Sequence, residues 1–124
     1  VYMLRRVNQI ARDISLREWI FIRSKKGYQF LLSDNPVFSY DSIKDKITIE
    51  PSVNSNIYFP ITKDIGLIIK PNLSLNCHYM NTEKEYIKVL NLGTVQFSFN
   101  QIISHSKELI SYYIEKHKQI VKNN

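Results

Sequence analysis

The sequence predicts an α+β protein, with an antiparallel sheet of about five strands packed against two or three helices and helices at both ends of the chain. Two patterns carry this expectation. Apolar residues recur at helical spacing near both termini, while the middle divides into short β-branched and aromatic runs separated by turn-forming residues. No internal repeat and no low-complexity linker interrupts residues 1–124, so a single domain is expected. A length of 124 residues is enough for one core and too little for two domains of ordinary size.

From Tyr2 to about Ser15, Met3, Leu4, Val7, Ile10, Ala11 and Ile14 form one apolar stripe, opposite Arg5, Arg6, Gln9 and Arg12. This predicts a helix that packs on the core. It begins with no capping Ser, Thr, Asp or Asn ahead of it, and the chain is therefore expected to be the C-terminal part of a larger protein. Trp19-Ile20-Phe21-Ile22 and the apolar run from Tyr28 to Leu32 flank a Ser24-Lys25-Lys26-Gly27 turn and read as a central antiparallel hairpin. The run then stops at Ser33-Asp34-Asn35-Pro36. Val37-Phe38-Ser39-Tyr40 alternates, as does Ile47-Thr48-Ile49-Glu50, and residues 51–56 have loop composition.

Ile57-Tyr58-Phe59-Pro60-Ile61 and Ile65-Gly66-Leu67-Ile68-Ile69 flank Thr62-Lys63-Asp64 as a second hairpin, with Pro60 where no ladder donor is needed. Residues 71–80 fit neither period clearly. Thr82 is the expected N-cap of a helix carrying Tyr86, Leu90, Gly93 and Phe97 and running to about Phe99. A short strand at Gln101-Ile102-Ile103 follows. The last helix spans Lys107 to Lys122, with Leu109, Ile110, Tyr113, Ile114, His117, Ile120 and Val121 on one face, so Tyr112 and Tyr113 cannot both be buried.

Composition narrows the function classes. No apolar run approaches the roughly 20 residues of a membrane-spanning helix, no secretion signal is expected, and no membrane partner is expected. The single cysteine, Cys77, suits a reducing compartment, and the expected location is the cytoplasm. With three glycines there is no phosphate-binding glycine loop, and no Gly-x-Ser-x-Gly elbow occurs. Cys77 and His78 point to opposite faces of an extended segment and have no partner at ligand spacing, which argues against zinc. The formal net charge of +6 raises the case for nucleic acid, yet the basic residues are scattered and Ile, Lys and Asn are all abundant, as in any AT-rich coding sequence.

The order helix, Trp-containing strand, Leu31-Leu32-Ser33-Asp34-Asn35-Pro36-Val37, then Tyr58-Phe59-Pro60-Ile61-Thr62 with the run 65–69, then Val89-Leu90-Asn91, resembles domain-of-unknown-function family 4238, found mainly in bacteria. The resemblance covers most of the chain and matches the C-terminal half of the family pattern. The N-terminal half, which carries a His and a Val-Pro before a Tyr-Leu pair, has no counterpart here. The resemblance implies an architecture and a candidate position, and no reaction.

That position is Asp34, at the end of a buried strand, where a side chain is held rigidly yet reaches solvent. Its carboxylate could bind a divalent cation or act as a base. The structural alternative is an Asx turn, with Asn35 pushed to extended backbone by Pro36. Asp34, Glu50 and a lysine such as Lys63 or Lys70 can be matched to the acidic cluster of a metal-dependent nuclease, because phosphodiester cleavage needs carboxylates for the metal and a cation for developing charge. His105, between two serines at a helix start, is a general base only if it lies near Asp34, and is otherwise a cap or a solvated residue. Lys25 and Lys26, interleaved with Arg23 and Tyr28, are the candidate nucleic-acid contacts. Two functions therefore remain open. One is a nucleic-acid-directed domain, part of a metal-dependent nuclease completed by an N-terminal half or partner protein; the other is a noncatalytic protein-interaction or structural domain.

Overall fold

The computed structural model describes residues 2–41, 43, 44, 46–48, 54–74 and 76–123. The N-terminal helix forms as α1 (Tyr2–Ser15), and its apolar stripe departs from the expected packing: Val7 is 55% exposed, Ile10 is 45% exposed, and Ile14 reaches the core. Polar contacts at the C-terminal end of α1 tie it down instead. The Asp13 carboxylate meets the Arg17 guanidinium at 2.9 Å, and the Trp19 indole N–H donates to the Ile14 carbonyl at 3.0 Å. Arg17 is buried and also donates to the Ser55 carbonyl at 3.1 Å, so its charge is both paired and hydrogen-bonded.

In chain order follow β1 (Arg17–Arg23), β2 (Leu32–Ser33), β3 (Phe38–Asp41), β4 (Lys46–Thr48), β5 (Ser55–Pro60), β6 (Ile65–Leu73), β7 (Cys77–Asn81), α2 (Lys84–Phe97), β8 (Ile102–Ile103) and α3 (Lys107–Asn123). The fold is α+β and helical at both ends, as expected. Among the described residues the main sheet has six strands rather than about five, ordered β4-β3-β5-β6-β1-β7, with β2 and β8 forming a separate two-stranded ladder. Every pair in the main sheet is antiparallel except β1 with β7.

The predicted hairpin of β1 with residues 28–32 does not form. A tight turn is present, with Lys25 and Tyr28 bridged and Gly27 at a φ of 83°, a value glycine adopts without steric cost. Both flanks of β1 are already taken, by β6 and β7, and the chain after the turn leaves the sheet. Its continuous apolar character does reflect burial on both sides, but between two core clusters rather than within a sheet. Phe30 packs with Ile20, Ile22, Phe38, Tyr58, Ile68, Ile87 and Leu90, between the sheet and α2, while Leu31 packs with Val95 and Tyr113, between α2 and α3. Each is fully buried, worth roughly 1.5–3 kcal/mol of transfer free energy per side chain.

The second hairpin forms as predicted. β5 and β6 pair from Ile57↔Ile69 to Pro60↔Gly66, and the Thr62 hydroxyl accepts the amides of Asp64 and Ile65, both at 3.1 Å. Of residues 71–80, 71–73 end β6 and 77–80 belong to the edge strand β7. Pro71 falls where the β1–β6 register shifts between Arg17↔Leu73 and Trp19↔Ile69, an irregularity that needs no regular ladder donor from it. Of the expected strand 47–50, Ile47 and Thr48 lie in β4, whereas Ile49 and Glu50 fall outside the described residues. Within the stretch read as loop, Ser55 and Asn56 belong to β5.

Thr82 does not cap α2. Glu83 holds the N-cap position without a side-chain cap, and the Thr82 amide donates to the Arg23 carbonyl at 3.2 Å, extending the alignment of β7 along β1. On the face of the sheet away from α2, Ile57, Leu67 and Ile69 are buried with Trp19, Phe21, Phe59 and Ile14 around them. Tyr113 of α3 is buried and Tyr112 is exposed. Among the described residues, no helix is long and apolar enough to cross a membrane.

Candidate functional site

Residues 29–35, which include β2, lie against α2 and α3, and several polar groups on them are matched by residues far along the chain. The Asn91 side chain, fully buried on α2, accepts the Leu31 amide at 2.9 Å and donates to the Gln29 carbonyl at 2.9 Å. It replaces the strand partner that this segment lacks. On the other side the Phe30 amide donates to the Lys63 carbonyl at 2.8 Å. Tyr113 packs in the same cluster as Leu31 and Val95, which links α3 to the arrangement.

The signature Ser33-Asp34-Asn35 then clamps the end of α2. Asp34 Oδ1 accepts the Phe99 amide at 3.0 Å and Oδ2 accepts the Asn100 amide at 2.8 Å. The Asp34 amide donates to the Gln101 carbonyl at 3.2 Å, and Asn35 Nδ2 donates to the Phe97 carbonyl at 3.0 Å. Local turn formation belongs to Ser33, whose hydroxyl accepts the Asn35 amide at 3.2 Å. Two residues of ladder, Leu32↔Ile103 and Ser33↔Ile102, complete the attachment. With the Ser98 amide and Oγ both donating to the Val95 carbonyl, the helix stops at Phe97 rather than about Phe99, since the Phe99 and Asn100 amides turn to Asp34.

Desolvation is the largest influence on the Asp34 carboxyl and acts upward; the backbone N–H groups of Asn100, Phe99 and Gln101 and its own together outweigh it and hold the pKa below the usual 3.8. A carboxylate whose pKa is lowered by folding stabilises the fold at pH above its unfolded value, and that contribution vanishes as pH falls through the folded value. Acidification below about pH 4 is therefore expected to lower the thermal midpoint of the wild type more steeply than that of Asp34→Asn, as read by circular dichroism.

The other predicted residues are not gathered around Asp34. His105 is exposed and lies two residues beyond Ile103, at the Leu32 end of the β2–β8 ladder, while Asp34 and Gln101 meet past the opposite end. Lys25 and Lys26 are exposed in the turn after β1, where Lys25 Nζ meets Glu83 at 3.4 Å. Glu50 lies outside the described residues. Among the described residues, no group of three or more His, Cys, Asp and Glu side chains is placed to hold a metal ion. Cys77 is exposed, and His78 Nε2 lies 3.6 Å from Glu18.

Sequence reading missed Asn91 and Tyr113 as partners of this segment. The available signal was Asn91's place among Ile87, Leu90, Thr94 and Val95, all on the buried side of α2; an amide held there requires partners.

No curated protein and no solved structure shows significant similarity to the chain. A family model described as a protein of unknown function matches residues 1–108. The match includes the Ser33–Pro36 segment, Asn91 and the clamped residues 97–101, and it ends in the first turn of α3. The chain belongs to this family, DUF4238.

Proposed function

We propose that this is a noncatalytic protein-interaction domain in which Ser33-Asp34-Asn35-Pro36 builds the fold. One observation carries the reading: Asp34 gives one carboxylate oxygen to each of two successive backbone amides, Phe99 at 3.0 Å and Asn100 at 2.8 Å. A general base or metal ligand directs its lone pairs at a substrate or an ion, whereas these hold a chain reversal. Support for interaction comes from the sheet edge. All five residues of β7 are exposed, and Tyr79, 77% exposed, stacks on Phe21 with ring centroids 5.2 Å apart. Exposed aromatics beside an unprotected edge strand suit a protein partner.

A second reading rests on the formal charge of +6 and the exposed Lys25-Lys26 turn: a nucleic-acid-directed domain in which Asp34 binds a divalent metal or acts as acid or base. Single- and double-stranded DNA and RNA oligonucleotides, mixed with the protein with and without Mg²⁺ or Mn²⁺ at low and high salt, separate the two. The interaction reading predicts no salt-dependent binding and no cleavage, and predicts that Tyr79→Arg releases a protein partner retained by the wild type. Binding that falls steeply with salt, or metal-dependent cleavage lost in Asp34→Asn, would move the assignment to the second reading.

A further inference from the structure

We propose that β7 pairs with the β7 of a second copy of this chain, antiparallel across a two-fold axis at Tyr79, joining the two sheets edge to edge. The inference rests on the interaction reading and names its partner. Among the described residues β7 is paired on one side only, by β1. The Trp19 amide donates to the Asn76 carbonyl at 3.1 Å and the Thr82 amide to the Arg23 carbonyl at 3.2 Å, which fixes the phase of the ladder between them. In a parallel pair, alternate residues of a strand direct both backbone groups to the same neighbour. Asn76, His78, Met80 and Thr82 therefore face β1, and Cys77, Tyr79 and Asn81 turn their N–H and C=O groups outward.

This outward set is its own complement. A two-fold axis at Tyr79 sets Tyr79 against the copy's Tyr79 and Cys77 against the copy's Asn81. Every residue so matched has its donor and acceptor on the shared edge, so each pair can exchange two backbone hydrogen bonds. The side chains agree with the backbone. β7 contains no Lys, Arg, Asp or Glu, and the pairing therefore opposes no like charges within the strand. Tyr79, 77% exposed and stacked on Phe21, meets its counterpart on the same face and carries the aromatic row across the joint. At the other end of the sheet β4 carries an exposed Lys46, a residue that discourages edge pairing, whereas β7 has neither lysine nor proline.

Sedimentation equilibrium of the chain alone, from about 1 μM to about 1 mM, tests the pairing without any other partner or nucleic acid. The wild type is expected to shift from the mass of one chain to that of two as concentration rises. Asn81→Pro should keep the mass of one chain throughout, because proline deletes a donor that faces the copy and none that faces β1. An unchanged far-ultraviolet circular dichroism spectrum checks that its fold is kept. Tyr79→Lys, at an exposed position, should have the same effect by setting two ammonium groups against each other across the axis. A wild type that stays single at every concentration overturns the proposal and leaves the interaction reading to the Tyr79→Arg release. A wild-type dimer that persists in either folded variant also overturns it, since the contact then lies elsewhere.

Discussion

Replacing Asn91 with Leu is expected to destabilise the protein by about 3 kcal/mol or more, because the Leu31 amide and the Gln29 carbonyl would each lose their partner in a largely buried setting. Leu shares the branched shape of Asn and is better suited to a helix, but its methyl groups are bulkier, so overpacking at this fully buried position adds to the loss. The larger part comes from the Leu31 amide, which no water can reach. Leu31 is fully buried, and the desolvation of its N–H is compensated by Asn91 Oδ1 at 2.9 Å. A loss of this size corresponds to a fall in thermal midpoint of roughly 10 °C for a domain of this length. Urea unfolding of the two proteins measures it. A change below about 1 kcal/mol would mean that the segment finds other partners, and that Asn91 does not anchor it.

The second large effect is expected at Gly93. A Cβ at this position would lie 2.5 Å from Phe38 Cζ and 2.8 Å from Cε2, closer than any carbon pair tolerates. The Phe38 ring has little room to give way, since it is buried against Tyr58 at 5.1 Å and Phe97 at 5.8 Å. Gly93→Ala should gain about 1 kcal/mol of helix propensity and lose more to overpacking, for a net loss of about 1–2 kcal/mol. The cause can be isolated by a double-mutant cycle. Shortening the ring with Phe38→Leu makes room for the methyl group, so Gly93→Ala in that background should be neutral or stabilising. An equal penalty in both backgrounds would place the effect elsewhere.

How much of this was legible in the sequence depended on the range of the interactions. The helices α1 and α3 and the β5–β6 hairpin follow from spacing and from a local Thr62-Lys63-Asp64 turn, and all three are present. Residues 28–32 suggest a strand of β1's hairpin yet leave the sheet, because a continuous apolar run carries no register information; it says that both sides are buried and not by what. The partners that decide the matter, Asn91 and Ile103, lie about 60 to 70 residues away. β7 was indistinct for the opposite reason: with all five residues exposed, it shows no alternation.

Asp34 illustrates the same point at the candidate site. A sequence read locally offers an Asx turn or a free carboxylate. The structure instead makes Ser33 the local turn former and sends Asp34 to amides 65 and 66 residues away. The stripe on α1 was legible as a helix and not as a surface, because periodicity reveals a shared face without revealing what covers it.

The Asp34 carboxylate holds the chain where α2 ends. Native-state hydrogen exchange at the Phe99 and Asn100 amides tests it most directly, since these are the N–H groups that Asp34 accepts. In the wild type both should be protected despite their exposed setting. Asp34→Ala should remove that protection at pH 7 while leaving the exchange of Ile68 and Ile69, in the centre of the sheet, in the same order of slowness. Unchanged exchange at Phe99 and Asn100 in Asp34→Ala would contradict the account and return Asp34 to candidacy as a residue kept for chemistry.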